Sequence, residues 1–483
     1  MGTYLLTSLA PRNRYLRPAE PVPSFLSFHL LLRLGPPQRI RRRRLRRPRL
    51  LCLLLTLRRI RRTSLALERV FSQARRRVTR IGARQQSSLS PLAVPFVPAT
   101  PSPPPPPELD WPDLQEDELA SALSATRPLA AAGPDDIPNL VLQSLWPALR
   151  LRLVPLFAAC LRLGYTPAAW RDATGVVLPK PNKPDYSNPK AYRMIVFARS
   201  LAKLLELVVA RRLSYLADAH GLLPVSHIGG RRGRSAEDAV ACFVDAIKRQ
   251  WRHGNVVVGM ALDVAQAFPS VRVERLVRNL REKGLPEEVG RFVESFMTDR
   301  SCRLRIDGEE GEETAWGSGL PQGSPLSPIL FLFYNAGALD ACASASSTGC
   351  GWINDLNVLA WGRTVEDAVS VLQARLPALE KWSETHQSDF SPAKTRLTLF
   401  QPRQRRRPAS LPTVTLAGIA LEWSPTLTML GAVLDGELSF KAHIGRCAAK
   451  ASTAASAVRL LASAGKGLAP REVRTVVEAV VID

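Results

Sequence analysis

Two aspartates, Asp263 and Asp355, lie 92 residues apart, each at the end of a β-rich apolar run. The first run reads MALDVAQAF over Met260–Phe268, and the second reads GWIND over Gly351–Asp355. Between them Gly319–Pro328 spells GLPQGSPLSP, a loop stiffened by three prolines. Carboxylates gathered at two strand ends suit metal-assisted phosphoryl transfer, because they hold cations against the charge on attacking and leaving oxygens. The second run places an amide, Asn354, ahead of its carboxylate, so one position in this set carries no charge. Each piece also has a plainer use. Asp263 could cap the next helix, Asn354–Asp355 could be an ordinary hairpin turn because both residue types tolerate positive φ, and the loop could be a rigid connector.

The elements that must position these residues are legible from periodicity. Val256–Val264 reads as a buried strand and Val273–Lys283 as a helix stopped by Gly284 and Pro286. Pro328–Cys342 reads as an apolar helix, and Cys350–Ile353 with Leu356–Trp361 as a hairpin around Asn354–Asp355. Upstream, helices are expected at Gln115–Ala125, Leu140–Leu163 and Leu201–Leu216, with a strand at Gly175–Leu178. Downstream, Thr364–Trp382 opens on a capping-box pattern, strands are expected at Thr395–Phe400 and Thr428–Leu434, and an Ala-rich helix at Ala442–Ala464. This order predicts an α+β fold, a mixed sheet backed by helices.

Taken together, LDVAQAF over Leu262–Phe268, the Gly319–Pro328 loop and the hairpin behind Gly351–Trp352 resemble the reverse transcriptase of a non-LTR (LINE-like) retrotransposon, fungal members most closely. The resemblance runs from about Trp111 to Asp483. It includes Gly133–Asp135 (GPD), Lys180–Pro184 (KPNKP), Tyr192–Arg193, Phe390–Thr395 (FSPAKT) and Leu430–Asp435 (LGAVLD). It implies a right-hand polymerase, with fingers over 111–255, palm over 256–435 and a partial thumb over 436–483, the reverse transcriptase domain covering about 160–435. It implies RNA-templated DNA synthesis with two Mg²⁺ ions, dNTPs, an RNA template and a DNA primer.

Residue by residue, the resemblance makes Asp263 the first metal ligand, with the Val264 carbonyl as a further ligand and Asp355 as a third. Phe268 matches the aromatic gate that collides with a 2′-hydroxyl. Gln322 and Gly323 match the loop against the incoming nucleotide and template. Arg193 matches the fingers arginine whose planar fork suits triphosphate oxygens, and Lys394 the lysine that protonates the pyrophosphate leaving group. Three positions depart from the pattern. Asn354 replaces the aspartate that bridges the metals, making the catalytic set degenerate; Met194 replaces a proline; Gln266 replaces a glycine. These departures, the lack of an upstream endonuclease and a chain ending before any RNase H region imply a truncated, decayed copy. A rival reading is a non-enzymatic nucleic-acid-binding remnant; an RNA-dependent RNA polymerase is a third, disfavoured by Phe268 and the Gln322 loop.

Charge is concentrated rather than general. The chain carries 66 Lys and Arg against 42 Asp and Glu, but residues 1–90 hold 22 arginines, no lysine and only Glu20 and Glu68. The remainder is close to balanced, with 44 basic and 40 acidic residues. Residues 1–90 therefore read as a disordered Arg-rich tail or a phosphate-binding arm, followed over 91–110 by a Pro-rich linker. A nuclear or cytoplasmic location is expected, with mitochondrial targeting by the Arg-rich N-terminus a secondary reading. Seven cysteines without a C-x-x-C pair argue against a zinc site or disulfide framework. The longest apolar run of the tail, Leu50–Leu57, is too short to span a bilayer, and no membrane partner is expected.

Overall fold

The computed structural model describes residues 108–477 apart from 182, 189–190, 307–308 and 462–469. The expected disordered tail, most of the linker and parts of the expected thumb lie outside the described residues. The strands are β1 (Asp172–Pro179), β2 (Tyr192–Ala198), β3 (Val256–Asp263), β4 (Ser301–Ile306), β5 (Glu309–Ala315), β6 (Ser347–Trp352), β7 (Asp355–Gly362), β8 (Arg396–Phe400), β9 (Thr415–Leu416), β10 (Ile419–Ala420), β11 (Glu422–Trp423), β12 (Thr426–Met429) and β13 (Ala432–Asp435).

The larger sheet has the order β11-β8-β3-β7-β6, with β3 antiparallel to both β7 and β8. Its central strand reads VVVGMALD because both faces are covered, which removes the polar alternation of a half-exposed strand. Val256, Val258, Met260 and Leu262 pack on Leu339 and Cys342 of the Ser327–Cys342 helix, and on Leu372 and Leu379 of two later helices. Val257 faces the other way, among Phe243, Ile247, Phe400 and Leu427. Each such side chain removed from water contributes about 1.5–3 kcal/mol, so this strand is a rigid base for whatever sits at its end. The Ser327–Cys342 helix is apolar around most of its surface because neighbours cover it; Ile329 through Ala336 are all buried, while Gly337 and Asp340 are exposed.

The second sheet runs β2-β1-β4-β5. It joins β1 and β2, from the range expected to form fingers, to β4 and β5, from within 256–435. β5 is EEGEETA and exposed throughout, so no hydrophobic alternation announced it; its glutamates suit an edge strand that must not pair further.

Three expected elements are subdivided. Leu140–Leu163 is two helices, Asn139–Ser144 and Trp146–Leu163, the second with a proline in its first turn. Thr364–Trp382 likewise divides into Val365–Gln373 and Leu376–His386, again at a proline. Thr428–Leu434 is a turn flanked by β12 and β13 rather than one strand, with Leu430 and Gly431 at positive φ. The described residues form a mixed α/β fold, two larger sheets backed by helices, and among them no helix is long and apolar enough to cross a membrane.

Candidate active site

Strand register decides the site. Asp263 and Asp355 are directly paired residues on neighbouring antiparallel strands, the last of β3 and the first of β7. Such partners have Cα atoms about 4.5–5.5 Å apart, so the 92-residue separation closes to one carboxylate beside another. Burial, then the charge of Asp263, raises the Asp355 carboxyl above the usual carboxylate range. That is the electrostatic state a cation would relieve.

The loop between β6 and β7 corrects the turn expected at Asn354–Asp355. Trp352 pairs with Asp355, so the two loop residues are Ile353 and Asn354, and Asp355 belongs to the strand. Positive φ falls on Ile353, at 52°, not on Asn354 or Asp355. A β-branched residue there is strained; Asn335 holds it by donating from Nδ2 to the Ile353 carbonyl at 2.6 Å. Asn354 turns its amide into the site and donates from Nδ2 to Asp355 Oδ1 at 3.3 Å. A hydrogen-bond donor thus occupies the place where the resemblance expects a bridging acceptor. Among the described residues no group of three or more His, Cys, Asp or Glu could hold a metal ion.

Lys394, exposed on the turn before β8, reaches one of the two carboxylates. Its Nζ lies 2.5 Å from Asp263 Oδ2. The backbone beneath is tied in place, since Ser391 N donates to the Asp263 carbonyl and Val264 bridges to Phe390. Val264 itself is buried.

The Gly319–Pro328 loop is clamped between this strand end and β2. Leu320 N donates to the Phe268 carbonyl at 2.8 Å, and Val196 N donates to the Gln322 carbonyl at 2.7 Å. Two glycines permit the approach. A Cβ on Gly319, at φ +83, would meet the Phe268 carbonyl oxygen at 2.4 Å, and one on Gly323, at φ +124, would meet the Val196 carbonyl oxygen at 2.5 Å. The Phe268 ring sits edge-on to Phe331 at 5.4 Å and is half-buried. Gln266 has φ +50, a left-handed backbone that explains why a glycine would suit this position.

Arg193 is exposed on β2, opposite Leu178 of β1, three residues before Val196. It does not stand alone. Lys180, just past β1, has its ammonium pKa lowered by desolvation and then by the charges of Arg193, Lys183 and Lys394, with Asp263 opposing. The fold therefore brings a cationic cluster from the smaller sheet toward the paired aspartates. Lys180 opens the Lys180–Pro184 motif, to which the resemblance gives no role in the site.

A buried anchor was not legible at all. Glu206, on the Ser200–Ala219 helix and 2 % exposed, accepts a 2.7 Å hydrogen bond from Ser324 Oγ in the loop. Its second oxygen has no hydrogen-bond partner among the described residues, and neither has Nη2 of the buried Arg300. Burial raises the Glu206 pKa, while Arg300, Ser324 and Lys203 pull it down. In sequence Glu206 is one acidic letter in an amphipathic helix; only the packing of that helix against the loop buries its carboxyl group.

The residues 178–434 match the family model described as reverse transcriptase (RNA-dependent DNA polymerase). The chain is 26% identical over 336 residues to the probable RNA-directed DNA polymerase from transposon BS of Drosophila melanogaster, covering 68% of this chain and 37% of that protein. It is 26% identical over 378 residues to the putative 115 kDa protein of the Drosophila melanogaster type-1 retrotransposable element R1DM (76% and 34% coverage), and 28% identical over 243 residues to the Pol polyprotein of the Popillia japonica element R2 (49% and 32%). Among solved structures, apo telomerase from Candida tropicalis aligns at 12% identity over 62% of this chain and 60% of that one, with a TM-score of 0.38. The chain spans about a third of the length of these curated relatives. The paired strand ends, the clamped loop and the match over more than half of the sequence lead to one conclusion: the chain belongs to the reverse transcriptase family, and it is related to the proteins of non-LTR retrotransposons.

Proposed function

We propose that this chain carries the polymerase core of a retrotransposon reverse transcriptase, adding dNTPs to a DNA primer on an RNA template, and that Asn354 makes it slow. The register pairing of Asp263 with Asp355 supports this reading most directly. The donor set fits one divalent cation: Asp263, Asp355 and the Val264 carbonyl would hold Mg²⁺. It lacks the carboxylate that would bridge a second. Bound there, Mg²⁺ would stabilise charge on the reacting oxygens.

The chain's own groups supply the rest. Arg193 and Lys180 present positive charge to the triphosphate, Arg193 with a fork that suits paired phosphate oxygens. Phe268, held by Phe331, forms a wall that a 2′-hydroxyl would strike. Gln322 and Gly323, fixed to Val196, keep the nucleotide and template surface in register with β2. Lys394 is placed to hold a proton near the leaving pyrophosphate once its pairing with Asp263 is broken.

A second reading, a nucleic-acid-binding remnant without catalysis, is favoured by one observation. Both groups nearest the aspartates, the Asn354 amide and the Lys394 ammonium, are donors that compete with a cation. Primer extension on an RNA template by the wild-type chain and by Asn354→Asp separates the two. Synthesis that appears or rises with the reversion supports the polymerase reading. A folded reversion variant that binds template and primer but adds no nucleotide favours the remnant.

A further inference from the structure

The larger sheet has a second end, and the topology loads it with positive charge. Because β3 runs antiparallel to β7 and β8, Val256 pairs with Gly362 and Val257 with Phe400. Three connections therefore meet where β3 begins: the close of the Ala236–Arg252 helix, the turn after β7 and the loop after β8. They carry Lys248, Arg249, Arg252, Arg363, Arg403, Arg405, Arg406 and Arg407, all exposed. The seven strand steps from Val256 to Asp263 put this end about 24 Å from the catalytic pair.

The three segments are physically joined. Arg363 Nη1 donates to the His253 carbonyl at 2.5 Å, Arg405 Nη1 donates to the Gly254 carbonyl at 3.2 Å, and Arg405 Nη2 donates to the Arg363 carbonyl. Guanidinium groups thus cross-link loops that already carry like charge. Asp245 pairs with Arg249 and Arg252. Among the described residues Arg363, Arg403, Arg405, Arg406 and Arg407 form no ion pair with a carboxylate. Residues 91–483 are nearly balanced in charge, so eight cations in one place are a local concentration, not the overflow of a basic domain. Glu366 lines one cavity with Arg405, Arg406 and Arg407.

We propose that this end of the sheet binds the phosphate backbone of a nucleic-acid duplex, at a surface separate from the polymerase cleft. Seven of the eight cations are arginines, whose planar forks take paired phosphate oxygens. Phosphate contacts of this kind position a duplex without reading its sequence. Single-stranded nucleic acid is the poorer fit, because it is held by stacking bases on exposed aromatic rings. The nearest rings, Trp251 and Trp361, are part-buried, and Trp251 Nε1 is engaged by the Phe400 carbonyl at 3.2 Å.

The test uses the full-length protein and a blunt DNA duplex of about two helical turns. Arginine modification by phenylglyoxal is mapped by mass spectrometry with and without the duplex. The duplex should protect Arg403, Arg406 and Arg407, and the protection should fade as salt rises from about 50 to about 200 mM. A triple variant, Arg403→Gln, Arg406→Gln and Arg407→Gln, should keep its melting temperature. Its slope of log K against log salt should be shallower by about 2–3, near one unit per lost phosphate contact. No protection at these arginines, or an unchanged slope, overturns the proposal. So does protection by phosphatidylserine vesicles or by single-stranded RNA that exceeds protection by the duplex. None of these readouts needs nucleotide addition, so they stand or fall apart from the polymerase activity.

Discussion

Replacing Asn354 with aspartate tests the chemistry at its weakest point. The amide donates to Asp355 Oδ1 at 3.3 Å, which places it within reach of any cation held between Asp263 and Asp355. A unit negative charge about 4 Å from a divalent cation interacts by about 8 kcal/mol at an effective dielectric constant near 20. Desolvation of the new carboxylate and its repulsion by two existing ones offset most of this. A net gain of about 2.7 kcal/mol in the transition state is enough for a hundredfold rise in rate. The long Asn354–Asp355 hydrogen bond is worth less than about 1 kcal/mol, so Asn354→Ala should stay within a few-fold of wild type. Single-nucleotide addition to a DNA primer on an RNA template, titrated with Mg²⁺, measures both. Asn354→Asp should raise the rate at least about a hundredfold and lower the Mg²⁺ midpoint. In EDTA it should lower the melting temperature, because three carboxylates then crowd without a cation. Robust wild-type synthesis unaffected by the reversion, or an equal gain from Asn354→Ala, would refute the reasoning.

Other perturbations probe the parts that hold the site. Asp355→Asn should stabilise the metal-free protein near neutral pH. The folded carboxyl has a raised pKa, so its penalty exists while it is ionised and disappears as pH falls below its unfolded value; the gain in melting temperature should shrink on acidification, and a gain that grew would contradict the assignment. Gln266→Gly should raise the melting temperature, since a non-glycine at φ +50 costs about 1–2 kcal/mol, only part of which glycine's added chain entropy returns. Glu206→Ala should destabilise more than Ser324→Ala in chemical denaturation, because it removes both the acceptor of the Ser324 hydroxyl and the carboxyl whose charge acts on the buried Arg300, whereas Ser324→Ala removes one hydrogen bond and should cost about 1–3 kcal/mol; equal effects would show that Arg300 does not depend on Glu206. Gly323→Ala should weaken dNTP binding to a dideoxy-terminated primer complex, because its Cβ must displace the loop from Val196; an unchanged affinity would mean that the loop does not set the nucleotide's place.

Short-range signals determined much of this protein. The run VVVGMALD announced a buried strand, the prolines of Gly319–Pro328 announced a stiff loop, and residue order alone carried the family resemblance. These are readable because apolar periodicity and turn chemistry act over a few residues. The same locality explains the errors: β5 has no apolar face to reveal it, and Asn354–Asp355 has the composition of a turn although register shifts that turn one residue back, onto Ile353. Tertiary structure alone decided the partnerships. It set Asp263 opposite Asp355, brought Lys180 toward them from another sheet, buried Glu206 against Ser324 and gathered arginines from three connections at the far end of β3. Which residues meet across such separations depends on register and on two-sided burial of a central strand, and both are properties of the packed chain as a whole, where a shift of one residue would send every side chain to the opposite face.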